Sequence, residues 1–142
     1  ELGVNHIIPI ISERVTVNLS AKTRKNRLGH WRKISTSSCE QCGRNSLPKI
    51  HEPVTLEIWL KTVTSTLRYV LDQGGANIDL LKPRPSGISI LSGPEGGFNE
   101  NEIKLAQSSG FISTSLGKRT MRAETAPVAA LTIAQSSWGD LC

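Results

Sequence analysis

The chain has 142 residues, of which 37% are hydrophobic and 20% are charged, and its formal net charge is +5 at pH 7. This length allows one compact domain with a hydrophobic core and leaves too little chain for two ordinary domains. No segment approaches the roughly 18 consecutive apolar residues that a membrane-spanning helix needs, and the amino terminus lacks the layout of a signal peptide. We therefore expect one soluble, cytoplasmic domain over residues 1–142, with no membrane partner.

The first half of the chain predicts a strand and two helices. The β-branched run at residues 6–12 is typical of a buried strand. From residue 23 to residue 43, small and apolar residues recur at spacings of three and four, which predicts a helix that Gly43 ends. Residues 54–61 are compatible with a strand or a helix, and we favour a short helix.

The second half predicts three strands and two helices, in the order strand 66–71, strand 86–92, helix 100–109, strand 111–116 and helix 124–138. Asn99 is a favourable N-cap for the first of these helices, and Gly110 ends it. Alternating strands and helices predict an α/β domain with a largely parallel sheet flanked by helices. Since ligands bind at the carboxyl ends of such strands, we expect the loops 72–77, 92–98 and 117–123 to share one rim.

The three cysteines, Cys39, Cys42 and Cys142, are an odd number without framework spacing, which is typical of a reducing compartment. Cys39 and Cys42 have the Cys-x-x-Cys spacing, but no second pair completes the roughly four ligands of a structural zinc site. We therefore expect no metal, and we interpret both as small apolar residues on the first helix.

A glycine-rich loop with the sequence GPEGG, residues 93–97, follows the predicted strand 86–92. It lacks the Gly-Lys-Ser/Thr of a P-loop and the G-x-G-x-x-G of dinucleotide sites. Glu95 would also repel phosphate oxygens. A ligand with a ribose and a sulfonium but no phosphate, such as S-adenosylmethionine, fits this loop better than ATP or NAD. The loop alone leaves open that it is a tight turn with Glu95 in solvent.

A basic cluster lies within residues 22–33. Its first members are Lys22, Arg24, Lys25 and Arg27, and Arg32 and Lys33 follow on the outer face of the predicted helix. Such a cluster is either a solvated helix face or a surface that neutralises nucleic-acid phosphates. Both interpretations stay open from the cluster alone.

Four motifs occur along the chain in the order ELGVNHIIPIISER, EQCGR with LPKIHEP, LSGPEGGFNENE and SLGKRTMRAETAPVAAL. Together they closely resemble the RsmE family of the SPOUT superfamily, bacterial enzymes that methylate N3 of one uridine in 16S ribosomal RNA. The resemblance covers Glu1 to about Leu141. It departs from the family pattern in the stretch LDQGG after the strand 66–71, where a His-Pro type of turn is expected, and at Thr120, where relatives more often have an aliphatic residue.

The resemblance implies a SPOUT-type fold with a deep trefoil knot near the carboxyl terminus, a homodimer and small-subunit ribosomal RNA as partner. It also implies a PUA-like β-barrel before this segment, which agrees with a chain that starts at Glu1 without methionine, so we expect an upstream part to be missing. By position, it implies an S-adenosylmethionine pocket lined by Leu71, Gly93, Pro94, Glu95, Gly96, Gly97, Leu116, Gly117, Met121 and Arg122.

Arg122 and Glu124 are the residues to which we assign the chemistry. As an isolated pair they are either an exposed ion pair of little consequence or a donor and an acceptor beside a reacting group. We expect Arg122 to stabilise the negative charge that uracil gains when N3 loses its proton. Glu124 then orients Arg122, accepts the proton or only begins a helix. The rival functions are a ribose 2′-O methyltransferase of the same superfamily and a non-catalytic ribosome-assembly binder.

Overall fold

The computed structural model describes residues 1–14, 21–78 and 83–141, without the side chains of Ala21, Lys22 and Arg24. The elements in these ranges are β1 (His6–Ile7), β2 (Ile10–Ile11), α1 (Ala21–Cys42), β3 (Lys49–Ile50), β4 (Val54–Thr55), α2 (Leu56–Leu60), β5 (Leu67–Asn77), β6 (Ile88–Leu91), α3 (Glu100–Ser108), β7 (Ile112–Ser115) and α4 (Thr125–Trp138). Within the same ranges, none of the helices combines the length and the apolar character that crossing a membrane requires.

All described strand pairs are parallel. The main sheet has the order β6-β5-β7, and two smaller sheets pair β1 with β3 and β2 with β4. The predicted α/β class with parallel strands is therefore confirmed, although the strands form three sheets instead of one. The trefoil knot stays a prediction.

The predicted single strand at residues 6–12 is wrong in detail. The run forms the two short strands β1 and β2, separated by Ile8 and Pro9. Proline has no backbone N–H to donate, so only its carbonyl takes part here, accepting from the Val54 N–H at 3.0 Å. Ile7 is 44% exposed, so the run is also less buried than predicted.

Strand β5 contributes residues to both core clusters, because it lies in the middle of the main sheet and its successive side chains point to opposite faces. On one face, Leu67 and Tyr69 pack with Ala134 and Trp138 of α4. On the other face, Val70 belongs to a cluster with Leu56, Trp59, Leu60, Leu91, Ala106 and Phe111, which come from α2, β6, α3 and the residue before β7. Both faces of the sheet are thus covered, as expected of a parallel sheet.

The helix predictions agree with the structure. Helix α1 spans the predicted region, and Gly43 follows it at φ +73°, in the left-handed conformation that commonly ends a helix. The Arg44 N–H then donates to the Cys39 carbonyl at 2.9 Å. Cys39 is buried and Cys42 is exposed, so only the first packs as a core residue. The short helix α2 is confirmed at Leu56–Leu60.

Candidate active site

A cavity of about 760 Å³ lies beyond the ends of β6 and β7 and beside the middle of β5. Three segments line it, within residues 71–73, 92–98 and 114–126, together with Ile103 of α3. The prediction that three loops share one rim is therefore confirmed. The volume falls in the range of roughly 300–1,000 Å³ that is typical of small-molecule sites.

The segment predicted as the loop 72–77 belongs to strand β5 and is irregular. Leu71 and Ala76 both pair with Thr114, so residues 72–75 are looped out between two paired positions. A Cβ atom on Gly75 would lie 2.4 Å from the backbone nitrogen of Thr114, so only glycine fits this approach of the two strands. The strand therefore continues where turn residues predicted its end.

Asp72 begins the looped-out segment with a half-buried carboxylate. Its Oδ2 atom accepts a hydrogen bond from the Ser113 hydroxyl at 2.8 Å, and its Oδ1 atom accepts from the Gly74 N–H at 3.3 Å. Asp72 lines the cavity but was not among the predicted site residues. An acidic side chain directly after a buried strand was the available signal.

The glycine-rich loop forms a tight turn. The Gly97 N–H donates to the Pro94 carbonyl at 2.8 Å, and Gly97 has φ +65°, which favours glycine. Glu95 lies at the exposed tip and forms no hydrogen bond or ion pair with the part of the chain that the structure describes. Its carboxylate is thus available to a ligand hydroxyl or cation.

Helix α3 begins directly after this turn with the predicted N-cap. Asn99 accepts from the Glu102 N–H, and the Glu102 carboxylate accepts from the Asn99 N–H, both at 2.9 Å, which completes a capping box. This reciprocal pair anchors the carboxyl side of the glycine-rich loop.

Every residue to which the resemblance assigned cofactor binding lines the cavity: Leu71, Gly93, Pro94, Glu95, Gly96, Gly97, Leu116, Gly117, Met121 and Arg122. The structure therefore brings together residues from three separate segments. Further lining residues that were not among the predicted site residues include Asp72, Gln73, Phe98, Ile103 and Thr120.

Arg122 and Glu124 both border the cavity, and their charged groups lie 4.0 Å apart. Their side chains are 86% and 69% exposed, so water screens the pair and its own contribution to stability is small. Glu124 occupies the N-cap position of α4, but its side chain makes no capping hydrogen bond. Glu124 thus stands at the start of the helix, as one of its three interpretations expects, and both charged groups are accessible to a substrate.

The basic cluster lies on α1, and none of its residues is among those that line the cavity. Lys25 and Arg27 are exposed, whereas the side chains of Lys22 and Arg24 lie outside the described residues. Across residues 1–14, 21–78 and 83–141, no three His, Cys, Asp or Glu residues come together in a group that could hold a metal ion.

The family model described as an RNA methyltransferase domain matches residues 1–135. A relative from Buchnera aphidicola subsp. Schizaphis graminum, named ribosomal RNA small subunit methyltransferase E, is 38% identical over 143 residues, covering 99% of this chain and 58% of the relative. A relative of the same name from Synechocystis is 36% identical over 138 residues, covering 92% of this chain and 44% of the relative.

The chain is also similar to solved structures. The Neisseria gonorrhoeae ribosomal RNA small subunit methyltransferase E, bound to S-adenosyl methionine, is 37% identical with a TM-score of 0.88, and the match covers 99% of this chain and 58% of that one. A Legionella pneumophila structure with bound cofactor SAM is 35% identical with a TM-score of 0.91 and has the same coverage. The chain thus spans little more than half the length of these proteins.

Proposed function

We propose that this chain, which belongs to the RNA methyltransferase domain family, binds S-adenosylmethionine in the cavity and methylates N3 of a uridine in 16S ribosomal RNA. The observation that carries the proposal is that the glycine-rich loop and the pair Arg122 and Glu124 border one cavity of about 760 Å³. A methyl donor and a reacting base require such joint placement, because methyl transfer depends mainly on the alignment of its two reactants.

The chemistry of the lining residues fits S-adenosylmethionine. The glycine-rich loop permits close backbone approach to a nucleoside, and the exposed Glu95 carboxylate is suited to ribose hydroxyls or a positive charge. Half-buried Leu71, Leu116 and Met121 supply apolar surface. When bound, the cofactor would supply an activated methyl group on a sulfonium.

Arg122 and Glu124 would act on the base that is methylated. The guanidinium of Arg122 is a permanent cation, so it can stabilise the negative charge that spreads over uracil oxygens once N3–H is lost. Glu124, 4.0 Å away, can orient that guanidinium or accept the N3 proton. Glycine-rich-loop residues would meanwhile fix the position of the donor.

Two partners complete the proposal. The exposed Lys25 and Arg27, with Lys22 and Arg24 on the same helix, would contact RNA phosphates.

The chain would act as a homodimer, as the resemblance implies. An apolar surface between α1 and α4 supports this, since Ile34 and Val128 are 51% and 53% exposed. Light scattering of wild-type protein and an Ile34→Glu, Val128→Lys variant would test the dimer, which the variant should dissociate.

The proposal is tested by incubating recombinant protein that contains this chain with small ribosomal subunits and S-adenosylmethionine carrying a radioactive methyl group. Digestion to nucleosides should yield labelled N3-methyluridine. A label on a ribose 2′-oxygen would instead identify the rival ribose methyltransferase. RNA binding without any incorporation of label would identify an assembly binder.

A further inference from the structure

Arg14 contacts the glycine-rich loop from a distant part of the sequence. Its guanidinium Nη1 atom donates a hydrogen bond to the carbonyl oxygen of Gly96, 82 positions away. Gly96 lies within the Pro94 to Gly97 turn, and its backbone N–H and carbonyl are on the segment that lines the cavity. The aliphatic part of Arg14 also lies against this turn, because a Cβ atom on Gly96 would sit 3.4 Å from the Arg14 Cδ atom.

Glu13, the preceding residue, binds the other side of the same loop. Its backbone N–H donates to Oε1 of Glu102 at 3.0 Å, and its own carboxylate accepts from the Asn99 side-chain amide at 2.5 Å. Glu102 is only 9% exposed and accepts from both Glu13 and Asn99 through its two oxygens. Arg14 therefore holds the loop within its turn, and Glu13 holds it at its junction with α3.

The hydrogen bond between Arg14 and Gly96 restrains a glycine-rich loop. A loop rich in glycine has high conformational entropy, so a productive shape must be imposed on it by its surroundings. Within the described residues, the Glu95 side chain forms no hydrogen bond or ion pair, and a Cβ atom on Gly97 would find nothing within 4 Å beyond its chain neighbours. The hydrogen bond from Arg14 restrains the carbonyl between them.

We propose that Arg14 is a positioning residue for the methyl donor, with Glu13 as its support: the two hold the Gly93–Gly97 loop in the shape that binds the cofactor. The inference rests on the proposed function, since it concerns the same cavity. Its consequence is that removing the Arg14 donor weakens cofactor binding, although Arg14 is not among the residues that line the cavity. A preorganised loop lowers the entropy lost on binding, so the effect falls on affinity and not on the chemical step.

The test measures binding of S-adenosylhomocysteine by calorimetry, together with KM for S-adenosylmethionine and kcat. Arg14→Met keeps the packing of the stem and removes the donors. We expect it to raise Kd and KM by about three- to ten-fold, the value of one ordinary hydrogen bond, with kcat at saturating cofactor within about two-fold. Arg14→Lys keeps a cationic donor and should restore most of the affinity. Arg84→Met, at an exposed arginine without a described contact, is the matched control and should match wild type.

The results separate the two proposals. If wild-type protein does not bind S-adenosylhomocysteine, the proposed function itself fails. If wild type binds and Arg14→Met binds equally well, or if Arg14→Lys is as weak as Arg14→Met, the positioning role is wrong. If Arg14→Met does not fold, Arg14→Ala takes its place, and the role requires it to bind more weakly than Arg14→Lys at an unchanged melting temperature.

Discussion

The side-chain amide of Gln73 donates a 2.6 Å hydrogen bond to the hydroxyl of Thr120, which joins the looped-out segment of β5 to the loop that carries Arg122. Both residues line the cavity. A polar pair therefore joins two segments of the site.

We expect this pair to be coupled in cofactor binding. Gln73→Leu and Thr120→Val should each raise the Kd of S-adenosylhomocysteine by about two- to five-fold, because one exposed hydrogen bond is lost in each. The double variant should bind S-adenosylhomocysteine no more weakly than the single variant with the lower affinity, since the two substitutions remove the same contact. Thr64→Val, at an exposed threonine without a described contact, is the control for the substitution itself. Additive losses in the double variant would show that the contact does not join the two loops.

Arg122→Ala should lower the rate of methyl transfer by about 100-fold or more, because the charge that develops on the base loses its stabilising cation. The Kd of S-adenosylhomocysteine should change far less than kcat. Glu124→Gln added to Arg122→Ala should have little further effect if Glu124 only orients Arg122. A further large loss would assign Glu124 a separate role as the base. A near-normal rate of methyl transfer by the Arg122→Ala variant would contradict the proposed role of Arg122.

Neutralising the four basic residues Lys22, Arg24, Lys25 and Arg27 with glutamine should weaken RNA binding and flatten its salt dependence. Each lost phosphate contact reduces the slope of log K against log salt by about 0.7–0.9. Filter binding across a salt series measures this slope. The control neutralises Lys61 and Arg84, which are exposed and lie in other parts of the chain. Equal slopes of log K against log salt for the two variants would show that the cluster is a solvated helix face.

Gly75→Ala should destabilise the protein by about 1–3 kcal/mol or more, because the added methyl group would meet backbone atoms of Ser113 and Thr114 at 2.4–2.7 Å. Gly74→Ala is the matched control one position earlier, where the nearest atom would be the flexible Asp72 Oδ2 at 3.6 Å. Urea unfolding of the two variants measures the difference. Equal stabilities would mean that β5 and β7 do not approach as closely as described.

Acidification should weaken the contact between β1 and β3. His6 and His51 are joined through Nδ1 and Nε2 at 2.9 Å. Burial, the Lys49 ammonium and the His6 ring lower the pKa of His51 below its ordinary value of 6.5. The unfolded chain therefore binds this proton first, and stability falls as pH drops below about 6.5 towards the lower folded pKa. His51→Gln should make the free energy of unfolding fall less steeply between pH 7 and pH 5. An unchanged pH profile would contradict this.

The sequence determined the features that depend on near neighbours in the chain. The end of α1 at Gly43 and the capping box of Asn99 and Glu102 involve residues within one helical turn, so local patterns were sufficient to predict the helix ends. The shared rim of the three loops followed from the rule that parallel strands end at one edge. The family resemblance then predicted the roles of the lining residues.

Tertiary structure decided what depends on packing between distant segments. The continuation of β5 to Asn77 depends on the absence of a side chain where Gly75 approaches Thr114, and turn residues alone predicted a loop there. The bond from Arg14 to Gly96 joins positions 82 apart, and that from Glu13 to Glu102 joins positions 89 apart. Such contacts leave no periodicity or spacing in the sequence, because their partners meet only once the strands and helices between them have packed.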